Sequence, residues 1–229
     1  MSSSTRSSYH HGTLRQALID ATESLLAERG LDGFSLREVA RRSGVSPAAP
    51  AHHFGDAQGL LTAVATLAFD GLTEALQAGN ARGGDDAVAR MREQGVGYVG
   101  FALRYPGRFR LMFGPCNQDD EGLGRSARAA FEVLEDGVRG LLAVPPGQVL
   151  APAQTAALLS IWSAVHGFAH LLIGGQLDKP AGAAGRQAFA ASMVGPMLQL
   201  QLDGLVHAVQ APAPAARPAA RARAPRSRR

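Results

Sequence analysis

Through most of this chain apolar residues recur every three to four positions, and no stretch alternates apolar and polar residues long enough to line a strand. Leu14, Leu18, Ala21 and Leu25 share one helical face and predict a helix over residues 13–28. Similar spacing predicts helices over residues 56–78, 87–104, 106–113, 123–143, 152–175 and 183–209. The Gly- and Pro-bearing segments NARGGDD, GPCNQDDEG and VPPGQVLAP lie between them. With no internal repeat, the pattern predicts an all-α protein.

Two breaks set the local architecture near the N-terminus, in SLREVARRSGVSPAAPAHHF, residues 35–54. Ser35 and Glu38 have the S-x-x-E spacing of a capping box. The helix they open turns Leu36, Val39 and Ala40 inward and Arg37, Arg41 and Arg42 outward, then stops at Gly44. Ser46 predicts the N-cap of a further helix, with Pro47 at its first position, where a missing N–H costs nothing. Pro50 removes that helix's first internal hydrogen bond and crowds the Ser46 carbonyl, so the helix is short and loosely started. Upstream, Gly30 ends the first helix, with Leu31 placed for a Schellman-type stop. Helix, glycine turn, helix is the helix-turn-helix arrangement, although a purely structural corner shares the same local pattern.

Charge limits the partners. The net charge is +4, yet Arg and Lys number 17 against 19 Asp and Glu over residues 1–210, and six against none over 211–229. The segment APAPAARPAARARAPRSRR predicts a disordered tail that either binds phosphates nonspecifically or only solubilises the chain. A polar start, MSSSTRSSYHHG, predicts no secretory leader, and the lone Cys116 suits a reducing cytoplasm. The acidic loop around Cys116 predicts a raised thiol pKa and low reactivity. Residues 140–177 hold no Asp, Glu, Lys or Arg, but Gln154, Thr155, Ser160, Ser163, His166 and His170 predict a helix buried in protein rather than in a membrane.

The residues LLAERG, FSLREVARRSGVS, HHF and the following LL resemble the DNA-binding domain of the TetR family of bacterial transcriptional regulators. YHHGTLR, PGRFRLMF and WSAVHG resemble the family subgroup with a Trp-His-Gly type ligand-binding domain. The resemblance implies an N-terminal arm over 1–12, a helix-turn-helix domain over 13–58, and a ligand-binding and dimerisation domain over 59–210, followed by the 211–229 tail. It implies a repressor type of regulator that binds a palindromic double-stranded DNA operator as a homodimer and is released by a small-molecule effector. No cofactor or metal and no enzymatic activity are implied. Two positions depart from the family, which usually carries an aromatic residue where Ala51 stands and a Lys where Ala57 stands, both commonly on phosphates.

The expected DNA-contacting set is Tyr9, His10, Arg37, Arg41, Arg42, Ser46, Pro47, Ala48, Ala49, His52 and His53. Tyr9 and His10 would hold a phosphate at the start of the first helix, and the arginines would hold phosphates from the second. Ala48 and Ala49 would pack on thymine methyls, His52 would reach a base or phosphate, and Phe54 would plug the core. Specificity then leans on methyl contacts and DNA shape. Binding would strengthen as pH falls through the imidazole range if His52 and His53 face phosphate. Residues 1–60 carry six basic and six acidic groups, so a ligand-binding or adaptor protein without specific DNA binding is the competing reading, with the tail as a nonspecific nucleic-acid arm.

In the C-terminal part, Trp162, His166 and His170 share one helical face beside Tyr98, Phe101, Phe109 and Phe113. His pairs at this spacing can hold a metal, but nothing in the sequence completes a ligand set, which leaves core packing or an apolar effector pocket. Two stripes, Ile161, Val165, Phe168 and Leu172, and Phe189, Met193, Met197 and Leu200, serve either a dimer interface or the protomer core.

Overall fold

The computed structural model describes residues 4–114, 116 and 119–210, with side chains described from Thr13 to Leu205 in that span. Every regular element among them is helical: α1 (Ser4–Arg29), α2 (Leu36–Arg42), α3 (Ala49–Phe54), α4 (Ala57–Gly83), α5 (Ala87–Arg104), α6 (Pro106–Met112), α7 (Glu121–Leu141), α8 (Pro152–Ile173), α9 (Asp178–Ala181) and α10 (Gly185–Gln210). A 3₁₀ turn, Gly182–Ala184, joins the last two. The fold is all-α, with α1 to α3 forming a small N-terminal unit against the start of α4 and the other helices packed around α4 and α5.

One continuous core runs between these parts. Leu18, Ile19, Leu25 and Leu26 of α1, Leu60 and Val64 of α4, and Phe109 and Leu111 of α6 are all fully or almost fully buried in it. Burying side chains of this size supplies about 1.5–3 kcal/mol each before the entropy of ordering them is subtracted.

Several helix ends differ from expectation, and three of the differences are informative. α1 begins at Ser4, inside the segment expected to be an arm, because nothing between Ser4 and Gly12 breaks a helix already set by the residues that follow. Its end is simpler than a Schellman stop: Gly30, at φ +66°, donates to the Leu26 carbonyl alone, the αL form of termination. α4 continues through Gly79 to Gly83, past the expected break. A Cβ on Gly79 would lie 2.5 Å from the Glu93 carbonyl, and one on Gly83 would lie 2.5 Å from Arg90. These glycines let α5 approach the α4 backbone, and the packing gained offsets their poor helix propensity.

Among the described residues, two helices, α4 and α8, are long and apolar enough to cross a membrane. In the fold, α4 is enclosed by α1, α3, α5, α6 and α7, and α8 buries one face against α5, α7 and α10. The stripe Ile161, Val165 and Leu172 is protomer core, at 2%, 4% and 0% exposure, which removes it as a dimer surface. α8 turns Leu159, Ser163, Gly167 and Leu171 outward instead, and α10 exposes Met193 and Leu200.

Candidate nucleic-acid interface and ligand cavity

The corner after α2 is a complete Schellman turn. Val45 donates to the Ala40 carbonyl at 3.0 Å and Gly44 to the Arg41 carbonyl at 3.2 Å, with Gly44 at φ +67°. Ala40 is fully buried where the helices meet, and Val45 packs on the core. Ser46 does not cap α3: its carbonyl accepts from Ala49 at 3.0 Å, and the first α-helical bond runs from His52 N–H to the Ala48 carbonyl at 3.1 Å. Pro50 has no N–H to give Ser46, so the chain makes one tight turn over Ser46, Pro47 and Ala48 before α3 begins.

This leaves a short rod projecting from the corner. Ser46, Pro47, Ala48, Ala51 and His52 are exposed, and Ala49 and His53 are half-buried. Phe54 is packed on the core, with the Arg15 guanidinium 5.1 Å from its ring centre. α4 then starts on Asp56, whose carboxylate accepts from the Gly59 N–H at 2.8 Å.

The three arginines of α2 have different fates. Arg37 is exposed and makes no ion pair among the described residues. Arg41 is also exposed, and its guanidinium donates twice to Glu38, both bonds at 2.8 Å. Arg42 departs from the expectation of a phosphate contact. Its Nε donates to Glu38 at 3.0 Å, and its two terminal nitrogens donate to Glu28 of α1 at 2.9 and 2.7 Å, tying α1 to α2 with side-chain exposure of only 18%. Glu38 therefore fills only half of the capping box. Ser35 Oγ accepts from the Glu38 N–H at 3.1 Å, while the Glu38 carboxylate turns to the arginines, where charge-assisted bonds are stronger. Hydrogen bonds from Arg41 and then Arg42 hold the Glu38 carboxyl down to about 2. The side chains of Tyr9 and His10 lie outside the described residues, as does the 211–229 tail.

The second site is a cavity of ≈ 180 Å³ between α4, α5, α7 and α8. Leu72 and Leu76 of α4, Met91 of α5, Leu134 of α7 and Ile161 and Val165 of α8 form much of its wall. Of the residues expected there, Tyr98, Phe113 and Trp162 line it. Phe101 packs toward Gly71 and Tyr105. Phe109 is fully buried core, its ring centre 5.5 Å from those of Tyr98 and His166. His170 is exposed and belongs to a separate surface cleft with Arg110. Much of the wall consists of aliphatic residues whose pattern is that of any buried helix face, so periodicity alone could not single them out.

A hydrogen-bonded trio sits at the cavity's edge. Tyr98 Oη lies 2.8 Å from His166 Nδ1 and accepts from Trp162 Nε1 at 3.4 Å, which leaves the phenol proton for the imidazole. Burial raises the Tyr98 pKa, whereas burial and then the neighbouring His170 lower that of His166. A histidine with a depressed folded-state pKa contributes stability that is complete above its unfolded value and falls as pH drops below it toward the folded value. Thermal denaturation from pH 7.5 to 5 should therefore show a declining Tm, and His166→Gln should flatten the decline. An unchanged slope in that variant would remove His166 as its source.

Cys116 is buried and donates through Sγ to the Leu111 carbonyl at 3.1 Å. Burial, rather than the acidic neighbours invoked from the sequence, pushes its thiol pKa up. Among the described residues no three His, Cys, Asp or Glu side chains converge on a point that could hold a metal.

An exposed short helix beyond a Schellman corner, carried on a helical domain with an apolar cavity, defines the helix-turn-helix class of transcriptional regulators. Residues 18–64 match the family model for bacterial regulatory proteins of the tetR family, and residues 91–197 match that for the tetracyclin repressor-like C-terminal domain. The chain belongs to the TetR family of transcriptional regulators.

It is 38% identical over 78 residues to the HTH-type transcriptional regulator BetI of Burkholderia thailandensis, a match covering 34% of this chain and 40% of that protein. BetI of Serratia proteamaculans is 40% identical over 63 residues, covering 28% and 32%. The chain thus spans less than half the length of these curated relatives. A structure of a protein with unknown function from Rhodococcus sp. RHA1 is similar over 86% of this chain and 98% of that one, at 32% identity and a TM-score of 0.70. AibR, solved in complex with isovaleryl coenzyme A and operator DNA, shares the fold over 80% of this chain and 97% of its own, at 19% identity and a TM-score of 0.59.

Proposed function

We propose that the protein is a homodimeric repressor that binds a palindromic operator through α3 and leaves it when a small molecule enters the cavity. The observation that carries this reading is the course of α4. Its first turns pack on α3, while Phe69, Leu72 and Leu76 farther along it form a wall of the cavity. At 1.5 Å per residue this helix is about 40 Å long, so a change in its tilt at the cavity is delivered to the rod.

α6 supplies a second link. Gly107 abuts the α1 backbone at Leu26 and Ala27, and Arg108 pairs with Glu23 of α1 at 2.5 Å while lying 4.6 Å from the Tyr105 ring centre. Phe113, which follows α6, lies on the cavity wall. The outward apolar residues of α8 and α10, Leu159, Leu171, Met193 and Leu200, support pairing of two protomers across these helices. Arg37, Arg41, Ser46, Pro47, Ala48, Ala49, His52 and His53 remain the proposed DNA-facing set, and the WSAVHG segment supports placement in the Trp-His-Gly subgroup. A cytoplasmic location follows from work on DNA, and α8 is read as a dimer helix rather than a membrane span.

The neutral charge of residues 1–60, with Ala51 and Ala57 in place of the usual phosphate-binding side chains, favours a second reading: a ligand-binding adaptor without specific DNA affinity. A gel shift on the protein's own upstream DNA, with the full chain and with residues 1–210, separates the readings. Sequence-selective retention by both forms is expected. Retention only by the full chain would assign binding to the tail, and retention by neither would favour the adaptor.

A further inference from the structure

Gln94 lies on α5 one turn before Tyr98, is 2% exposed, and lines the cavity. Its Nε2 donates to Asn80 Oδ1 of α4 at 2.6 Å and to the Val133 carbonyl of α7 at 3.3 Å. Both amide protons are therefore spent, and the Val133 backbone carbonyl, which can only accept, fixes which end of the Gln94 amide is nitrogen. Gly137 of α7 makes the room: a Cβ there would lie 2.7 Å from Nε2 and 3.2 Å from Oε1. The remaining atom, Gln94 Oε1, is buried and receives no hydrogen bond from any described residue. A buried acceptor in this condition raises the free energy of the empty protein, and a donor reaching it restores what was lost.

Other features restrict what that donor can belong to. Tyr98 Oη is already engaged by His166 and Trp162. None of the lining residues carries a formal charge, so an ionised ligand would enter without a counter-ion at large desolvation cost. The ≈ 180 Å³ of space is close to the roughly 150 Å³ of an apolar cavity known to take benzene. A single ring or a comparably short aliphatic body fits that volume.

Resting on the reading of this cavity as the effector site, we propose that its ligand is a small neutral molecule of about single-ring size whose one hydroxyl or N–H donates to Gln94 Oε1. Gln94 is then the residue that sets specificity: it selects alcohols, phenols and related donors over hydrocarbons of equal shape. Preference arises because a hydrocarbon leaves the buried carbonyl unpaired in the complex as well as before it.

The only tryptophan, Trp162, lines the cavity, so its emission reports occupancy in the full-length protein. Titrations with phenol and with toluene make a matched pair. Phenol should bind about fivefold more tightly than toluene, the typical net worth of one hydrogen bond. Gln94→Met keeps the side-chain volume and should bring the two affinities within about twofold of each other, with toluene binding retained. Equal affinities in the unaltered protein, as when a water molecule already satisfies Oε1, would overturn the donor requirement while leaving the cavity as a ligand site. A phenol preference that persists in Gln94→Met would overturn the role of Gln94. If neither compound perturbs Trp162 up to millimolar concentration, this proposal and the effector-site reading both fall. The comparison within the unaltered protein depends on no variant folding.

Discussion

An Ala48→Asp variant should lose selective operator retention by at least about a hundredfold while unfolding at nearly the parent's denaturant concentration. Ala48 is exposed at the start of α3 and makes no side-chain cap bond. A carboxylate there would face the phosphates or base-edge acceptors of the groove, and like-charge juxtaposition at an interface costs several kcal/mol, which at 1.4 kcal/mol per factor of ten exceeds a hundredfold. The same charge suits the positive start of a helix, by about 0.3–1 kcal/mol, so the fold is not weakened. Gel shift or fluorescence anisotropy on the upstream region, beside urea denaturation, separates the two effects. Undiminished DNA binding in this variant would remove α3 from the interface and leave the corner a purely structural one.

Phe109→Ala should destabilise the protein by about 3–5 kcal/mol, the usual cost of truncating a fully buried aromatic side chain. Phe109 has no exposed surface, and its ring centre lies 5.6 Å from that of Phe113 and 5.3 Å from that of His170, besides the contacts to Tyr98 and His166. It joins the element that touches α1 to the residues at the cavity's edge, so its loss removes packing that several helices share. Against a total stability of about 5–15 kcal/mol for a protein of ordinary size, this is a large fraction. Urea unfolding followed through Trp162 measures it, and Phe109→Leu should recover more than half. A cost below about 1 kcal/mol would mean that the side chains around position 109 collapse into the space.

What these predictions rest on was only partly legible in the sequence. The α5 boundaries, Ala87 and Arg104, follow from the spacing of apolar residues, a signal contained within a few turns. The Gly44 corner and the disruption caused by Pro50 were equally local, since a positive φ and a missing N–H act on the residues beside them. At the cavity, however, Tyr98, Phe113 and Trp162 were found whereas Gln94 was not. A lone glutamine in a helix carries no signal until the elements bearing Asn80 and Val133 close around it.

The same division holds for the whole molecule. Sequence alone determined the all-helical class, most helix positions, the turn that sets α3 apart and the resemblance to a regulator family, because helical period, capping and backbone restriction are short-range effects. Tertiary structure decided which apolar stripe is core, so that Ile161, Val165 and Leu172 turned inward and Leu159 and Leu171 did not. It also decided that Arg42 binds Glu28, fourteen residues away, and that Gly79 and Gly83 sustain a helix crossing instead of ending a helix. In each case the outcome depends on a partner brought near by the fold, and local pattern holds no information about that partner.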